Sequence, residues 1–201
     1  MPLRDLLRHN ALGIAAVALS CPIIAMGLTT LIGYANTPGP AGLSPVTWPQ
    51  EASAARSHDR QTLLLFAHPD CACTRATISE LARIMAVARS RIDAVVHVVG
   101  PGGGPADAGP GHVWRSAAAI PGVRVVQDRD AVEARRFGAR TSGQTLLYDA
   151  RGQLAFSGGL TVSRGHEGDS VGREAILAAA SGETSARAVT PVFGCILLGD
   201  E

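Results

Sequence analysis

Thr62-Leu63-Leu64-Leu65-Phe66-Ala67-His68-Pro69-Asp70-Cys71-Ala72-Cys73-Thr74 is the stretch on which the reading of this chain turns. Its first half, Thr62–Ala67, is an apolar run of strand length. Beyond it Ile78, Leu81, Met85 and Ala88 recur at spacings of three and four, which predicts a helix with one apolar face, and Thr74 is placed to cap it. Two thiols one residue apart therefore sit at a strand-to-helix junction, a position suited to redox or metal chemistry. A third, Cys195, lies in the short apolar segment Val192-Phe193-Gly194-Cys195-Ile196-Leu197. Whether the three sulfurs form one site is left open by the sequence.

Working outward, Ile92–Val99 is rich in β-branched residues and reads as a buried strand. The stretch from Gly100 to Gly111 is glycine-rich but lacks the Gly-Lys-Ser/Thr ending of a phosphate loop, so it reads as a mobile surface loop. Trp114–Ile120 is a short helix and Val123–Val126 a short strand. Asp130 is placed to cap a helix through Phe137, with Gly138 just past its end. Thr145–Tyr148 and Leu154–Ser157 flank Asp149-Ala150-Arg151-Gly152 as a β-hairpin. Val171–Ala180 is a final helix between Ser170 as cap and Gly182 as stop. This order predicts an α/β fold with a mixed sheet and helices on both faces.

The N-terminal part is of another kind. Ala11–Ala35 is almost wholly apolar and uncharged, long enough for one N-terminal transmembrane helix. Arg4 and Arg8 precede it, and no further basic residue follows until Arg56. That asymmetry predicts a cytoplasmic tail at 1–10, a signal anchor at 11–35 and a soluble part outside: a single-pass protein of the cell inner membrane facing the periplasm. The rival reading, a cleaved signal peptide, meets a long run and a poor cleavage site at Tyr34-Ala35-Asn36. Cys21 reads as a small apolar residue of the membrane helix. Residues 36–60, rich in Pro, Gly, Ala and Ser with Trp48 as the main large apolar residue, read as a tether, and 61–201 as the folded domain.

The net charge of +1 gives no sign of nucleic-acid binding. All of the basic residues are arginine, which removes Schiff-base chemistry and a phosphate-loop lysine from consideration. Four cysteines are too few for a disulfide scaffold, and both readings of the N-terminus place the domain in an oxidising compartment.

The residues permit two chemistries. In thiol–disulfide exchange, Cys71 is the nucleophile, its thiolate favoured by the helix N-terminus and by Arg75 and opposed by Asp70. Cys73 is the near resolving thiol; a disulfide closing so small a loop is strained and easily reduced. Cys195 is the alternative resolver. In the second chemistry, Cys71 and Cys73 with Cys195 or a histidine, His68 or His166, bind a soft ion such as Cu(I). Zinc lacks a second closely spaced ligand pair. A non-catalytic interaction domain is a third class. His68 is held extended by the proline after it. His166, Glu167 and Asp169 bind a partner or metal or form a solvated loop; Glu80 reads as surface charge, and Arg135 and Arg136 as a solvated helix face.

These segments resemble the thioredoxin superfamily, with Thr62–Ala67 as central strand, His68–Thr74 as active-site turn and Phe137-Gly138-Ala139-Arg140-Thr141-Ser142-Gly143 leading into the hairpin. The resemblance covers about residues 60–182 and implies a thioredoxin-like three-layer fold with a mixed sheet. Within that superfamily the chain looks like the small membrane-anchored proteins labelled RedB, on His68–Thr74, on Ser157–Thr161 with Ser163–Asp169, and on Thr190-Pro191-Val192-Phe193-Gly194-Cys195. It implies exchange with a protein thiol or disulfide partner through Cys71, Cys73 and Cys195, no cofactor, and a substrate groove along His68, Pro69, Ser142 and Gly143. Two departures stand out. Thioredoxins have Trp-Cys-x-x-Cys where this chain has Asp70-Cys71-Ala72-Cys73. Thioredoxins also place a cis-proline where Gly143 stands, and that proline shapes the groove and keeps metals from the thiols. Its absence makes copper, held by Cys71, Cys73, Cys195 and His166, the alternative.

Overall fold

The structure, a computed structural model, describes residues 3–100, 111–183 and 188–198. The chain divides into two compact units, Met1–Asn36 and Thr37–Glu201. The first is a single helix, α1 (Leu3–Asn36), which begins before the expected Ala11. Its stretch Gly13–Asn36 has a mean hydropathy of 2.0 and is long and apolar enough to cross a membrane. Ile14, Leu19 and Leu31 are exposed along it. The hydroxyls of Thr29 and Thr30 donate to the Met26 carbonyl, so these polar groups are satisfied within the helix itself.

The second unit is built on one six-stranded sheet. Its strands are β1 (Gln61–Ala67), β2 (Ile92–Gly100), β3 (Val123–Arg129), β4 (Gln144–Tyr148), β5 (Leu154–Gly158) and β6 (Ala188–Val189), in the spatial order β3-β2-β1-β4-β5-β6. β1 pairs parallel with β2, and β2 with β3; β4 runs antiparallel to both β1 and β5. The sheet is mixed, as expected, and β1 lies inside it, buried from Thr62 to Ala67. Alternate residues of β1 serve opposite faces. Leu63 and Leu65 pack toward α2 (Thr74–Ala88), α3 (His112–Ala118) and α5 (Val171–Ser181), with Ile78, Leu81, Met85, Val113 and Ile176. Leu64 and Phe66 join Val95, Leu146, Tyr148 and Phe137 on the other face, beside α4 (Val132–Arg136).

That second face corrects the reading of 36–60 as a tether. One five-residue helix is too short to cover it, and the segment after Thr37 completes the cover. Trp48 packs edge-on against Phe137 (5.0 Å between ring centroids) and Tyr148 (5.1 Å). The Trp48 N–H donates to the Gly152 carbonyl, Leu154 N–H to Val46, and the Tyr148 hydroxyl to Pro45. The segment is thus fixed by backbone bonds rather than by a periodic apolar face.

Smaller differences have local causes. α3 starts two residues early, and β3 continues to Arg129. Asp130 does not cap α4: Asp130 and Ala131 both have positive φ, and the buried Asp128 carboxylate accepts from Glu133 N–H and Ala134 N–H instead. Thr74 is the first residue of α2 and does not cap it, its hydroxyl being engaged by Ser142. Ser170 and Gly182 bound α5 as expected. Residues 101–110 of the expected mobile loop lie outside the described residues. β6, parallel to β5, had no counterpart in the sequence reading.

Candidate active site

The chain leaves β1 at Ala67 and turns twice before α2 begins. Cys71 N–H donates to the His68 carbonyl (3.2 Å), and Thr74 N–H to the Cys71 carbonyl (3.1 Å). Asp70 N–H donates to His68 Nδ1 (3.2 Å), which holds that ring against the turn. Ser142 fastens the turn from the far side. Its hydroxyl accepts from His68 N–H (2.8 Å) and shares a hydrogen bond with Thr74 Oγ1 (2.7 Å). Cys71 is buried, at 2 % exposure; Cys73, immediately before α2, is half-buried.

Cys195 joins them. Ser142 N–H donates to the Cys195 carbonyl (2.8 Å), Leu197 N–H to the Arg140 carbonyl (2.8 Å), and Thr141 and Ile196 form an antiparallel bridge. The Arg164 guanidinium holds the Gly194 carbonyl. At Gly194 a Cβ would collide with the Ser142 carbonyl oxygen, so the close approach requires glycine there. The result brings the Cys195 thiol close enough to Cys71 for the two to act on each other's ionisation.

This arrangement divides the three sulfurs. Burial alone raises the Cys71 thiol, but hydrogen bonds from the side chains of Cys195 and Thr74, and from their backbones, outweigh it and bring Cys71 down to about 7. Cys195 is pushed up to about 12, first by burial, then by its bond to Cys71 and the nearby thiolate charge. Cys73 is raised by burial and by the charge of Cys71, with Arg164 opposing. Cys71 is therefore the first thiolate of a coupled set, and Cys195 is its proton-bearing donor.

The residues expected to line a substrate groove are largely covered. Ser142 and Gly143 are both buried, and His68 and Pro69 are half-buried at the rim. Gly143 has φ +92° and donates its N–H to the Phe66 carbonyl (2.7 Å). A proline, with φ fixed near about −65° and no N–H, fits neither condition. The loop is differently built from one that carries a proline, rather than merely missing one.

Glu80, read as surface charge, is wholly buried. Its carboxylate pairs with Arg83 (2.9 Å) and Arg173 and accepts from Gly168 N–H (2.9 Å). Ser79 adds a hydrogen bond to Glu167 (3.1 Å). Together they pin the Ser163–Asp169 loop to α2 and so aim Arg164 at the thiols. Arg136 is likewise not simply solvated: it pairs with the buried Glu133. The Glu80–Arg83 and Glu133–Arg136 spacings are local helix pairs, but nothing local announced their burial, because Arg173, Gly168 and the other covering groups are distant in sequence.

The structure does not assemble the full four-member copper donor set Cys71, Cys73, Cys195 and His166. His166 is exposed on its loop, and among the described residues no group of three or more His, Cys, Asp or Glu side chains is arranged to hold a metal ion. A cavity of about 570 Å³, lined by His97, Arg124, Asp128 and Glu133 among others, touches none of the thiols.

No family model and no curated protein matches the sequence. Among solved structures, the chain is similar to an uncharacterized conserved protein from Geobacillus kaustophilus (17 % identity, TM-score 0.58) and to the hypothetical protein SMc02350 from Sinorhizobium meliloti 1021 (18 %, 0.55). Each alignment covers 80 % of this chain and 93 % of the other. A thioredoxin-like protein solved in its oxidized form aligns over 72 % of this chain and 97 % of its own, at 16 % identity and a TM-score of 0.47. With its mixed sheet, its antiparallel β4–β5 hairpin and a cysteine turn between the central strand and α2, the second unit has a thioredoxin-like fold.

Proposed function

We propose that this chain is a membrane-anchored thiol–disulfide oxidoreductase acting on a protein partner outside the cytoplasm. The observation that carries the reading is that Ser142 ties the Cys71–Cys73 turn and the Cys195 segment together, which brings three thiols to one place. The Cys71 thiolate attacks one sulfur of a partner disulfide; a Cys71–partner bond forms and the partner's other sulfur leaves as a thiolate. A second thiol of the site, Cys73 or Cys195, then attacks Cys71 Sγ. The partner departs with two thiols, and the protein retains one disulfide. Run in reverse, the same steps oxidise a partner dithiol. Arg164 sits where positive charge stabilises the thiolates that come and go. The His68–Thr74 turn, Arg164 and Cys195, one part from each segment that carries the RedB resemblance, meet at these sulfurs, which supports that likeness. The apolar stretch Gly13–Asn36 supports the anchor.

The test is exchange between the detergent-solubilised full chain and glutathione disulfide, followed at pH 7. The wild-type chain exchanges, and Cys71→Ser lowers the rate by at least about a hundredfold, the loss expected for removing an essential nucleophile. A wild-type chain inert in both directions defeats the proposal and leaves a non-catalytic interaction domain. Retention in the membrane pellet after alkaline carbonate washing, with the domain open to external protease, tests the anchor and its orientation.

A further inference from the structure

The nucleophile of this site is covered by the protein's own chain. Val192 and Phe193 are buried anchors, whereas Cys195 and Leu197 are half-buried and Ile196 is exposed. Gly194–Leu198 runs antiparallel beside Arg140–Ser142 through one bridge, Thr141 to Ile196, and is held by Ser142 N–H to Cys195 O, Leu197 N–H to Arg140 O and the Arg164–Gly194 bond. This is how an added peptide strand binds an open backbone edge: main-chain bonds hold it, and the side chains set its identity. The segment even places a cysteine over Cys71.

We propose that Gly194–Leu198 is an internal strap that occupies the partner-binding edge as an extended partner strand would, and that lifts about Gly194 to admit one. The proposal rests on the thiol–disulfide reading above and names the partner class: an extended polypeptide segment with glycine immediately before its reactive cysteine. Glycine is demanded because the Ser142 carbonyl leaves no space for a Cβ at that position. Among the described residues its backbone is tied to loop and turn residues, Arg140, Ser142 and Arg164, and not to the six-stranded sheet, so it opens locally without unfolding of the sheet.

Alkylation of each cysteine by iodoacetamide, resolved by mass spectrometry on the full chain at about pH 9.5, where the Cys71 thiolate forms with or without its Cys195 donor, reads the strap directly. In the wild type Cys71 labels more slowly than Cys73 in spite of its lower pKa. Gly194→Val, which forces the strap away, raises Cys71 labelling about tenfold or more. Leu197→Pro, which deletes the donor to Arg140 at a half-buried position, raises it in the same direction and serves where Gly194→Val fails to fold. Unchanged Cys71 labelling in a folded variant overturns the strap. A synthetic peptide of residues 190–198 with Cys195→Ser should protect Cys71 of the strap variant, and the same peptide with Gly194→Ala should not. Equal protection by both, or protection by neither, overturns the partner class. Glutathione exchange measured on the same samples separates the two ideas: strap-dependent labelling without exchange sinks the oxidoreductase reading alone, and exchange with strap-independent labelling sinks the strap alone.

Discussion

Ser142 binds three parts of the site at once, the His68 turn, the start of α2 and the Cys195 segment, through one hydroxyl and one N–H. Ser142→Ala leaves the His68 N–H without its partner and lowers stability by about 1–3 kcal/mol in a denaturant titration. Cys195→Ala removes a donor to the Cys71 thiolate, so the Cys71 pKa, followed by thiolate ultraviolet absorbance, rises from about 7 toward its ordinary value of 9.0. An unchanged midpoint would contradict the shared hydrogen bond. The linked stability has a definite sign. Cys71 is depressed in the fold, so its contribution is present above pH 9 and is lost as the pH falls through about 7. Relative to Cys71→Ser, wild-type stability therefore increases from pH 7 to pH 9. The raised Cys73 and Cys195 act above that window, in the opposite direction. Cys71 and Cys73 were legible in the sequence because a thiol pair at a strand-to-helix junction is a local signal. The service of Ser142 was not, since a serine before a glycine looks the same whether it closes a site or faces water.

Among the elements, α2 and α5 were the most legible, each announced by apolar periodicity or by its bounding residues. Glu80 shows where periodicity stops being informative. It lies off the stripe of Ile78, Leu81 and Met85 and would face water if α2 had no neighbour on that flank. Arg173 of α5 and Gly168 of the loop before it close the flank and bury the carboxylate. A buried charge stripped of its partners is strongly destabilising. Arg173→Ala, which leaves Glu80 with Arg83 and the Gly168 N–H, lowers stability by about 2 kcal/mol. It also speeds hydrogen exchange in Ser163–Asp169; exchange unchanged there would show that the ion pair does not hold the loop. α4 teaches the complementary point: two aspartates stand two residues apart, and only the backbone conformation at Asp130 and Ala131 decides that Asp128 supplies the cap.

At the scale of the molecule, the mixed sheet with helices on both faces followed from the succession of elements, but the cover of its second face did not. A segment rich in Pro, Gly, Ala and Ser carries no periodic signature, and its docking depends on bonds such as Trp48 N–H to Gly152 O. Trp48→Ala removes the edge-on contacts with Phe137 and Tyr148 and lowers stability by about 3 kcal/mol, measured on thermal or denaturant unfolding of the second unit. A loss below about 0.5 kcal/mol, the range of ordinary surface changes, would restore the tether reading. The meeting of Cys71 with Cys195 has a consequence on this same scale, in the thermodynamics of chain closure. A bond between them ties a loop of about 120 residues and constrains the unfolded chain by about 5 kcal/mol, whereas a Cys71–Cys73 bond closes almost nothing. By reciprocity, folding strengthens the long bond by the same factor, so the folded state itself selects which pair of sulfurs is oxidised. The oxidised domain then melts well above the reduced one, and Cys195→Ser abolishes the difference. Each electron pair gained or lost would be written into the molecule as a change in firmness, making resistance to unfolding a readable record of its redox history.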